Sequence, residues 1–306
     1  MNISKKIKDF SKNISGKLHT EYELKKMNWF GIGGPAKIYF QPNSLKELSL
    51  FLKEFGDYTS IKIIGAGSNL LIRDGGYDGI IIKLGKKFSH ISKINDKTLV
   101  SGTSILDKKL SQFAMENEIS GFEFLSCIPG SVGGAIRMNS GCYDYNISQS
   151  LLSLQAINKS GLVRLINSKQ INFNYRGSDI EKDLIFLSAT LVGKKEKKEN
   201  IIKKMEILIS KKKKSQPSQI KTCGSTFKNP IDQTKKKSWE LIKESGCESL
   251  TFGGASLSPH HVNFFVNNGN ATASDMENLI DNVKKKVFSS TGIKLELELE
   301  VIGKKI

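Results

Sequence analysis

Arginine is almost missing from this chain: Arg73, Arg137, Arg164 and Arg176 are the only four, within a Lys+Arg total of 47. Base readout and bidentate phosphate clamping lean on arginine, so the scarcity argues against nucleic-acid recognition despite a formal charge of +17. The lysines are interleaved with Asp and Glu along the chain and do not alternate with aromatics on one platform. A solvated surface that favours polyanionic small ligands accounts for them; a lysine-rich nucleic-acid-binding protein is the non-enzyme alternative. The four cysteines, Cys127, Cys142, Cys223 and Cys247, contain no C-x-x-C pair and are far apart in sequence. Neither a disulfide framework nor a zinc ribbon is expected, and free thiols are the default. No apolar run approaches the roughly 18 residues of a membrane helix. The N-terminal stretch MNISKKIKDFSKNIS also lacks the continuous apolar core of a secretion signal. The expected location is cytoplasmic, with no membrane partner.

A dinucleotide fingerprint is missing too. Residues 61–84 read IKIIGAGSNLLIRDGGYDGIIIKL, a buried strand broken by Gly65-Ala66-Gly67-Ser68-Asn69. The third glycine of G-x-G-x-x-G is replaced by Leu70, and a second β-branched run begins at Ile80. The loop therefore joins two strands with no room for a crossover helix, which excludes a doubly wound domain here. Its bare backbone suits an anionic ligand. A second cluster, GFEFLSCIPGSVGGAIRMNSGCYDY over 121–145, again offers a glycine-rich turn at Pro129-Gly130-Ser131-Val132-Gly133-Gly134. Each glycine costs about 1 kcal/mol in a helix relative to alanine, so a well-packed helix is not expected there. Two such loops favour a bound diphosphate or flavin over two coincidental turns.

The remaining chain alternates short strands and helices. Residues 1–26 read as a polar helix and its lead-in, 37–41 as a strand, and 45–55 as a helix capped by Ser44 with Glu47 at the capping-box position. Short antiparallel strands follow over 80–104, a helix over 106–117, and a hairpin turning at Lys159-Ser160-Gly161. A strand over 184–192 precedes a lysine-rich amphipathic helix over 194–214, where the domain boundary is expected. In the last third come Cys223-Gly224-Ser225-Thr226-Phe227-Lys228-Asn229-Pro230, a helix over 238–245, and a strand over 262–266. A further helix capped by Ser274 stops at Gly292. Leu295, Leu297, Leu299 and Val301 then alternate with Glu296, Glu298 and Glu300, the pattern of a strand over 293–302.

Five of these segments, GAGSNLL with RDGGYDG, IPGSVGGAIRMNSG, YRGS, GSTFKNP and the closing G-x-x-L-x-x-E pattern, resemble in order the UDP-N-acetylenolpyruvoylglucosamine reductase family, in its shorter form. The resemblance runs from about residue 29 to 303. It implies an α+β fold: a two-lobed FAD-binding unit of the vanillyl-alcohol-oxidase type over 1–210 (lobes about 1–84 and 85–210), and a C-terminal α+β substrate domain over 211–306. It also implies FAD as cofactor, NADPH as electron donor and a UDP-sugar enolpyruvate as substrate, in peptidoglycan precursor synthesis, with no obligate protein partner. Gly65, Ala66, Gly67, Ser68, Asn69, Ile128, Pro129, Ser131, Gly133 and Gly134 would hold FAD. Tyr175, Lys228 and Asn229 would bind the sugar nucleotide or its carboxylate.

Three residues carry the implied chemistry. Hydride addition to an enol ether conjugated to a carboxylate places enolate-like charge on that carboxylate, which calls for a fixed cation. Arg176 matches that position, Ser225 the family's proton donor, and Glu298 the glutamate that stabilises the intermediate. Glu300 stands where a basic residue is common, so Glu296 is the alternative register for the glutamate. His260 and His261 are expected to be structural, and no metal site is expected. A related FAD-dependent oxidase or dehydrogenase of another small molecule is the enzyme alternative; it would not need Arg176, Ser225 and Glu298 together.

Overall fold

The structure, a computed structural model, describes residues 3–217 and 220–306. Met1 and Asn2 of the expected N-terminal helix, and Ser218 and Gln219 beyond the lysine-rich helix, lie outside the described residues. Two compact units emerge. One comprises Ile38–Ala66 and Gly79–Lys212 with the described part of Met1–Glu21; the other comprises Tyr22–Lys37, Gly67–Asp78 and the described part of Lys213–Ile306. Among the described residues no helix is long and apolar enough to cross a membrane.

The first unit holds two cores. In one, a sheet ordered Lys17–Glu23, Pro35–Gln41, Tyr77–Ile82, Ile61–Ile63 is accompanied by the helix Leu45–Phe55. That helix buries Leu48, Phe51, Leu52 and Phe55, at the spacing of one helical face, against Ile38, Phe40, Ile80 and Ile82. Ser44 Oγ accepts from the Glu47 amide at 3.1 Å, as expected of the cap. The Glu47 carboxylate, however, accepts from the backbone of Ser15 and Asn43 at 2.8 Å each, which ties the preceding loop to the helix start. In the second core, a five-stranded antiparallel sheet ordered Val163–Asn167, Leu151–Ile157, Ile185–Val192, Thr98–Gly102, Ile91–Lys93 packs with the helix Asp107–Glu116.

The strands Ile61–Ile63 and Tyr77–Ile82 run parallel. A parallel pair needs a crossover, and as the sequence implied, it is not a helix. The excursion Gly67–Asp78 makes it, and it is part of the second unit. There its strand Leu70–Ile72 pairs in parallel with Glu300–Ile302. Arg73 grips Glu277 with two hydrogen bonds of 3.0 and 2.8 Å, and Asp74 accepts from the amides of Ala273 and Ser274 at 2.9 and 3.1 Å. The RDGG segment is thereby fastened to the long helix Ala273–Thr291.

The second unit's core gathers Phe227, Phe265, Leu279, Val283 and Leu71 around a sheet of Thr251–Phe252, Ala255–Ser258 and His261–Asn267. Two expectations need correction here. The long helix is capped by Thr272 in a capping box with Asp275, because the amide of Ser274 is already taken by Asp74. The C-terminal segment is a strand only over Glu300–Ile302, with one isolated bridge at Leu297. Leu295 and Leu299 are buried while Leu297 and Val301 are half-buried, so four residues rather than two separate the inward positions.

Candidate active site

In the first unit the two glycine-rich clusters meet. A Cβ on Gly65 would stand 2.4 Å from Ser131 Oγ, so only glycine permits this approach. Contrary to expectation, the second cluster winds into a six-residue helix, Val132–Arg137. Its glycines allow the backbone to lie against residue 103: a Cβ on Gly133 would be 3.1 Å from Thr103 Cβ. The amides of Val132 and Gly133 are held by the carbonyls of Ile105 and Thr103 at 2.9 Å each, which leaves fewer backbone donors for a ligand than the sequence suggested.

Beside this turn, the Asp107 carboxyl is fully buried and neither oxygen has a partner among the described residues. A Cβ on Gly130 would be 2.5 Å from its Oδ2. Burial pushes its pKa well above the carboxylate range. Ser178 Oγ is a second buried polar atom with no partner there.

Arg176 occupies a two-residue turn, Tyr175-Arg176, between the paired strands Phe173–Asn174 and Gly177–Ser178. Its φ of 57° lies in the left-handed region, which costs a non-glycine residue about 1–2 kcal/mol. Such strain is characteristic of functional positions held by their surroundings. The guanidinium donates through Nη2 to the Gly141 carbonyl at 3.1 Å and lies 5.0 Å from the Tyr175 ring centre. Asn139 Nδ2 fixes the approach to this turn by donating to the Asn174 carbonyl at 2.9 Å. Arg137 serves the fold instead, since it donates to the carbonyls of Ile180, Glu181 and Leu184 and stacks 4.1 Å from the centre of the Phe186 ring.

In the second unit, residues 225–228 are threaded between the strand His261–Asn267 and residues 296–298. Ser225 bridges Phe264 and Phe227 bridges Leu297. Thr226 accepts from the Glu298 amide at 2.9 Å, and Lys228 donates its amide to the Glu296 carbonyl at 2.9 Å. Asn263 clasps the same segment, with its Oδ1 accepting from the Phe227 amide and its Nδ2 donating to the Phe227 carbonyl. This architecture brings Ser225 and Glu298 onto neighbouring backbone segments. The three glutamates are not equivalent. Glu298 is half-buried, Glu300 is exposed, and Glu296 is 72% exposed with its carboxylate 3.7 Å from Lys228 Nζ.

Of the residues expected to bind ligands, Asn229 Oδ1 accepts from the first amide of the helix Ser238–Glu244 at 3.1 Å. Asn69 Nδ2 donates to the Glu298 carbonyl at 2.9 Å. Gly67 is needed for its φ of 72° and for the backbone of Met27 and Asn28 packed against it. His261 Nδ1 accepts from the Asn263 amide at 3.3 Å, and burial lowers its pKa. Asn263 and Asn267 escaped the sequence reading, because an asparagine inside an apolar strand carries no motif. Also unforeseen is a pocket of about 730 Å³ within the second unit, lined by Lys213, Lys221, Ser256, Ser258, His260 and Asn268 among others.

Comparison with known proteins supplies the context. Residues 216–302 match the model of the UDP-N-acetylenolpyruvoylglucosamine reductase C-terminal domain, and residues 36–167 match an FAD binding domain. The UDP-N-acetylenolpyruvoylglucosamine reductase of Pelagibacter ubique is 51% identical over 97% of this chain and 98% of its own. That of Rickettsia akari is 42% identical over 95% of this chain and 97% of its own. The crystal structure of the Thermus caldophilus enzyme superposes with a TM-score of 0.80 at 30% identity, covering 94% of this chain and 99% of that one. The chain therefore belongs to the UDP-N-acetylenolpyruvoylglucosamine reductase family.

Proposed function

We propose that the chain is an FAD-dependent oxidoreductase that uses NADPH to reduce UDP-N-acetylglucosamine enolpyruvate to UDP-N-acetylmuramate, a step of peptidoglycan precursor synthesis. The observation that carries this reading is the similarity, over nearly the full length, to reductases of that name; the resemblance of its motifs to the family's assigns the chemistry to Arg176, Ser225 and Glu298. The residues fit FAD: two glycine clusters converge at Gly65 and Ser131, and beside Gly130 the Asp107 carboxyl is buried without a partner among the described residues. Gly65, Ala66, Gly67, Ser68, Asn69, Ile128, Pro129, Ser131, Gly133 and Gly134 are the residues that would hold it. Bound FAD supplies hydride transfer, accepting hydride from NADPH and passing it to the enolpyruvyl group.

The chain's own residues then complete the reaction. Arg176 stabilises the enolate-like charge on the substrate carboxylate through a planar, permanently charged fork. Ser225 donates the proton to the carbon that carries the sugar oxygen, and Glu298 stabilises the charged intermediate. Tyr175, Lys228 and Asn229 would bind the sugar nucleotide or its carboxylate, and Asn229 also accepts from the first amide of the helix Ser238–Glu244. The reading assigns the FAD-binding role to about 1–210 and substrate binding to about 211–306, in the cytoplasm, with neither nucleic acid nor an obligate protein partner. Anaerobic mixing tests it. NADPH should bleach the yellow absorbance, and the enolpyruvyl nucleotide should restore it; bleaching without restoration would assign the chain another oxidant.

A further inference from the structure

Cys127 and Cys142, fifteen positions apart in sequence, come together in the first unit. The strand Gly141–Cys142 lies against the 3-10 turn Glu123–Cys127, which brings the two cysteines together. Cys142 Sγ also contacts the Phe124 carbonyl at 3.5 Å, and Ser126 Oγ stands 3.7 Å from Cys127 Sγ. Lys212 Nζ donates to the Cys127 carbonyl at 2.7 Å, which puts a positive charge beside both sulfurs. The neighbouring Cys142 thiol, with help from Ser126 and Lys212, pulls the Cys127 pKa down to about 6, while Cys142 is raised. These surroundings favour the thiolate at Cys127 and the protonated thiol at Cys142.

The pair sits between two parts of the candidate site. Cys127 precedes Ile128 of the FAD-binding turn, and Cys142 follows Gly141, whose carbonyl accepts from Arg176. We propose that Cys127 and Cys142 form a redox-sensitive dithiol, which hydrogen peroxide closes into a disulfide and which thereby displaces the Gly141 carbonyl from Arg176. The Cys127 thiolate attacks one peroxide oxygen; the O–O bond breaks, and the departing hydroxide takes a proton to become water. Cys142 sulfur then attacks the resulting sulfenic acid; the S–O bond breaks, and the thiol proton leaves with the oxygen as a second water. Two thiols and one peroxide become one disulfide and two waters.

An S–S bond is about 2.05 Å long, far shorter than any non-bonded approach of two sulfurs, so closing it requires backbone at one cysteine to move. Gly141 has no slack to absorb the shift, since even a Cβ there would stand 2.2 Å from the Tyr145 carbonyl. A reversible disulfide of this kind is what a reducing compartment permits as a sensor. The effect on turnover rests on the function proposed above; the bond itself does not.

The test uses the FAD-loaded protein treated with hydrogen peroxide, blocked with an alkylating reagent and digested with trypsin without reduction. Cleavage at Lys109, Arg137 and Lys159 puts the two cysteines on separate peptides, 110–137 and 138–159. The expected product is that peptide pair, joined and released by dithiothreitol. Restoration of the yellow absorbance by the enolpyruvyl nucleotide should slow by roughly a hundredfold, the loss that a displacement of about 1 Å can cause, and recover with dithiothreitol. The Cys142→Ser protein should keep its untreated rate and form no joined pair. Unmodified cysteines, or Cys127 carried alone to the sulfinic acid, would overturn the dithiol; a joined pair with an unchanged restoration rate would overturn the coupling to Arg176. If untreated protein fails to restore the absorbance, the proposed substrate is wrong, and the peptide map still decides the disulfide.

Discussion

Asn69 donates its side-chain amide to the Glu298 carbonyl at 2.9 Å, and its own carbonyl accepts from the Glu300 amide at 3.1 Å. A residue of the first glycine-rich motif thus fixes the backbone on both sides of Leu299, 229 positions after it for Glu298 itself. The register of the acidic stretch is set here: Glu298 is half-buried, whereas Glu296 and Glu300 face solvent. Replacing Glu298 by Ala should slow the substrate-dependent restoration of the yellow absorbance by about 10²–10³-fold, the scale for removing one group that stabilises developing charge. Glu296→Ala should stay within about twofold, as expected of an exposed pair with Lys228. Stopped-flow traces of the two variants decide between the registers, and equal losses would reject the assignment.

Ser225→Ala separates the two half-reactions. Bleaching by NADPH involves no proton from Ser225 and should proceed at the parental rate. Restoration should slow by about 10²–10⁴-fold, the usual contribution of a positioned acid. Loss in both phases would mean that the bridge between Ser225 and Phe264 makes this serine a folding residue.

Arg176→Lys keeps the charge and discards the fork. An ammonium group cannot make paired, coplanar hydrogen bonds to a carboxylate, so the restoration phase should slow by roughly tenfold to a hundredfold while bleaching is retained. The variant still places a non-glycine side chain at φ 57°, so its urea midpoint should match the parent. That match is the control that assigns the loss to chemistry.

Asp107 should give stability a pH dependence. Its folded-state pKa is raised above the unfolded value by burial. The stabilisation it contributes is therefore fully present below the unfolded pKa, about 3.9, and is lost as pH rises through the folded pKa. Urea midpoints of the parent should fall with rising pH across that window, by at most about 1.4 kcal/mol per unit. The isosteric Asp107→Asn protein should lack this component, so parallel profiles would refute the assignment.

Local rules made part of this fold legible. Ser44 and the spacing of Leu48, Phe51, Leu52 and Phe55 specified a helix and its buried face, and Gly292, with φ 71°, ends the last helix as expected. Where distant backbone intervened, the local rules lost. Gly133 lies in a helix because close packing on Thr103 outweighs about 1 kcal/mol of propensity. Ser274 yields the cap to Thr272 because Asp74 occupies its amide. The polar segment before residue 26 contains the strand Lys17–Glu23, whose burial pattern is mostly exposed and leaves little alternation to read. The segments that hold Arg176 and Ser225 were legible as motifs, and the roles proposed for the two residues rest on that resemblance. Asn263, which clasps the serine loop, and the meeting of Cys127 with Cys142 belong to tertiary structure alone.

The parallel pairing of Leu70–Ile72 with Glu300–Ile302 also constrains how the protein can be made. During synthesis Leu70–Ile72 emerges early and has no strand partner of this kind until residues near 300 have left the ribosome. The second unit recruits three stretches of chain, the last of them beginning at Lys213, so its core cannot close before that last stretch has emerged. Contacts of such long sequence separation form slowly. A nascent chain stalled before the final strand would present the buried Leu71 and Ile72 edge to chaperones and proteases, which makes the emergence of residues 300–302 the moment at which the second unit is either completed or discarded.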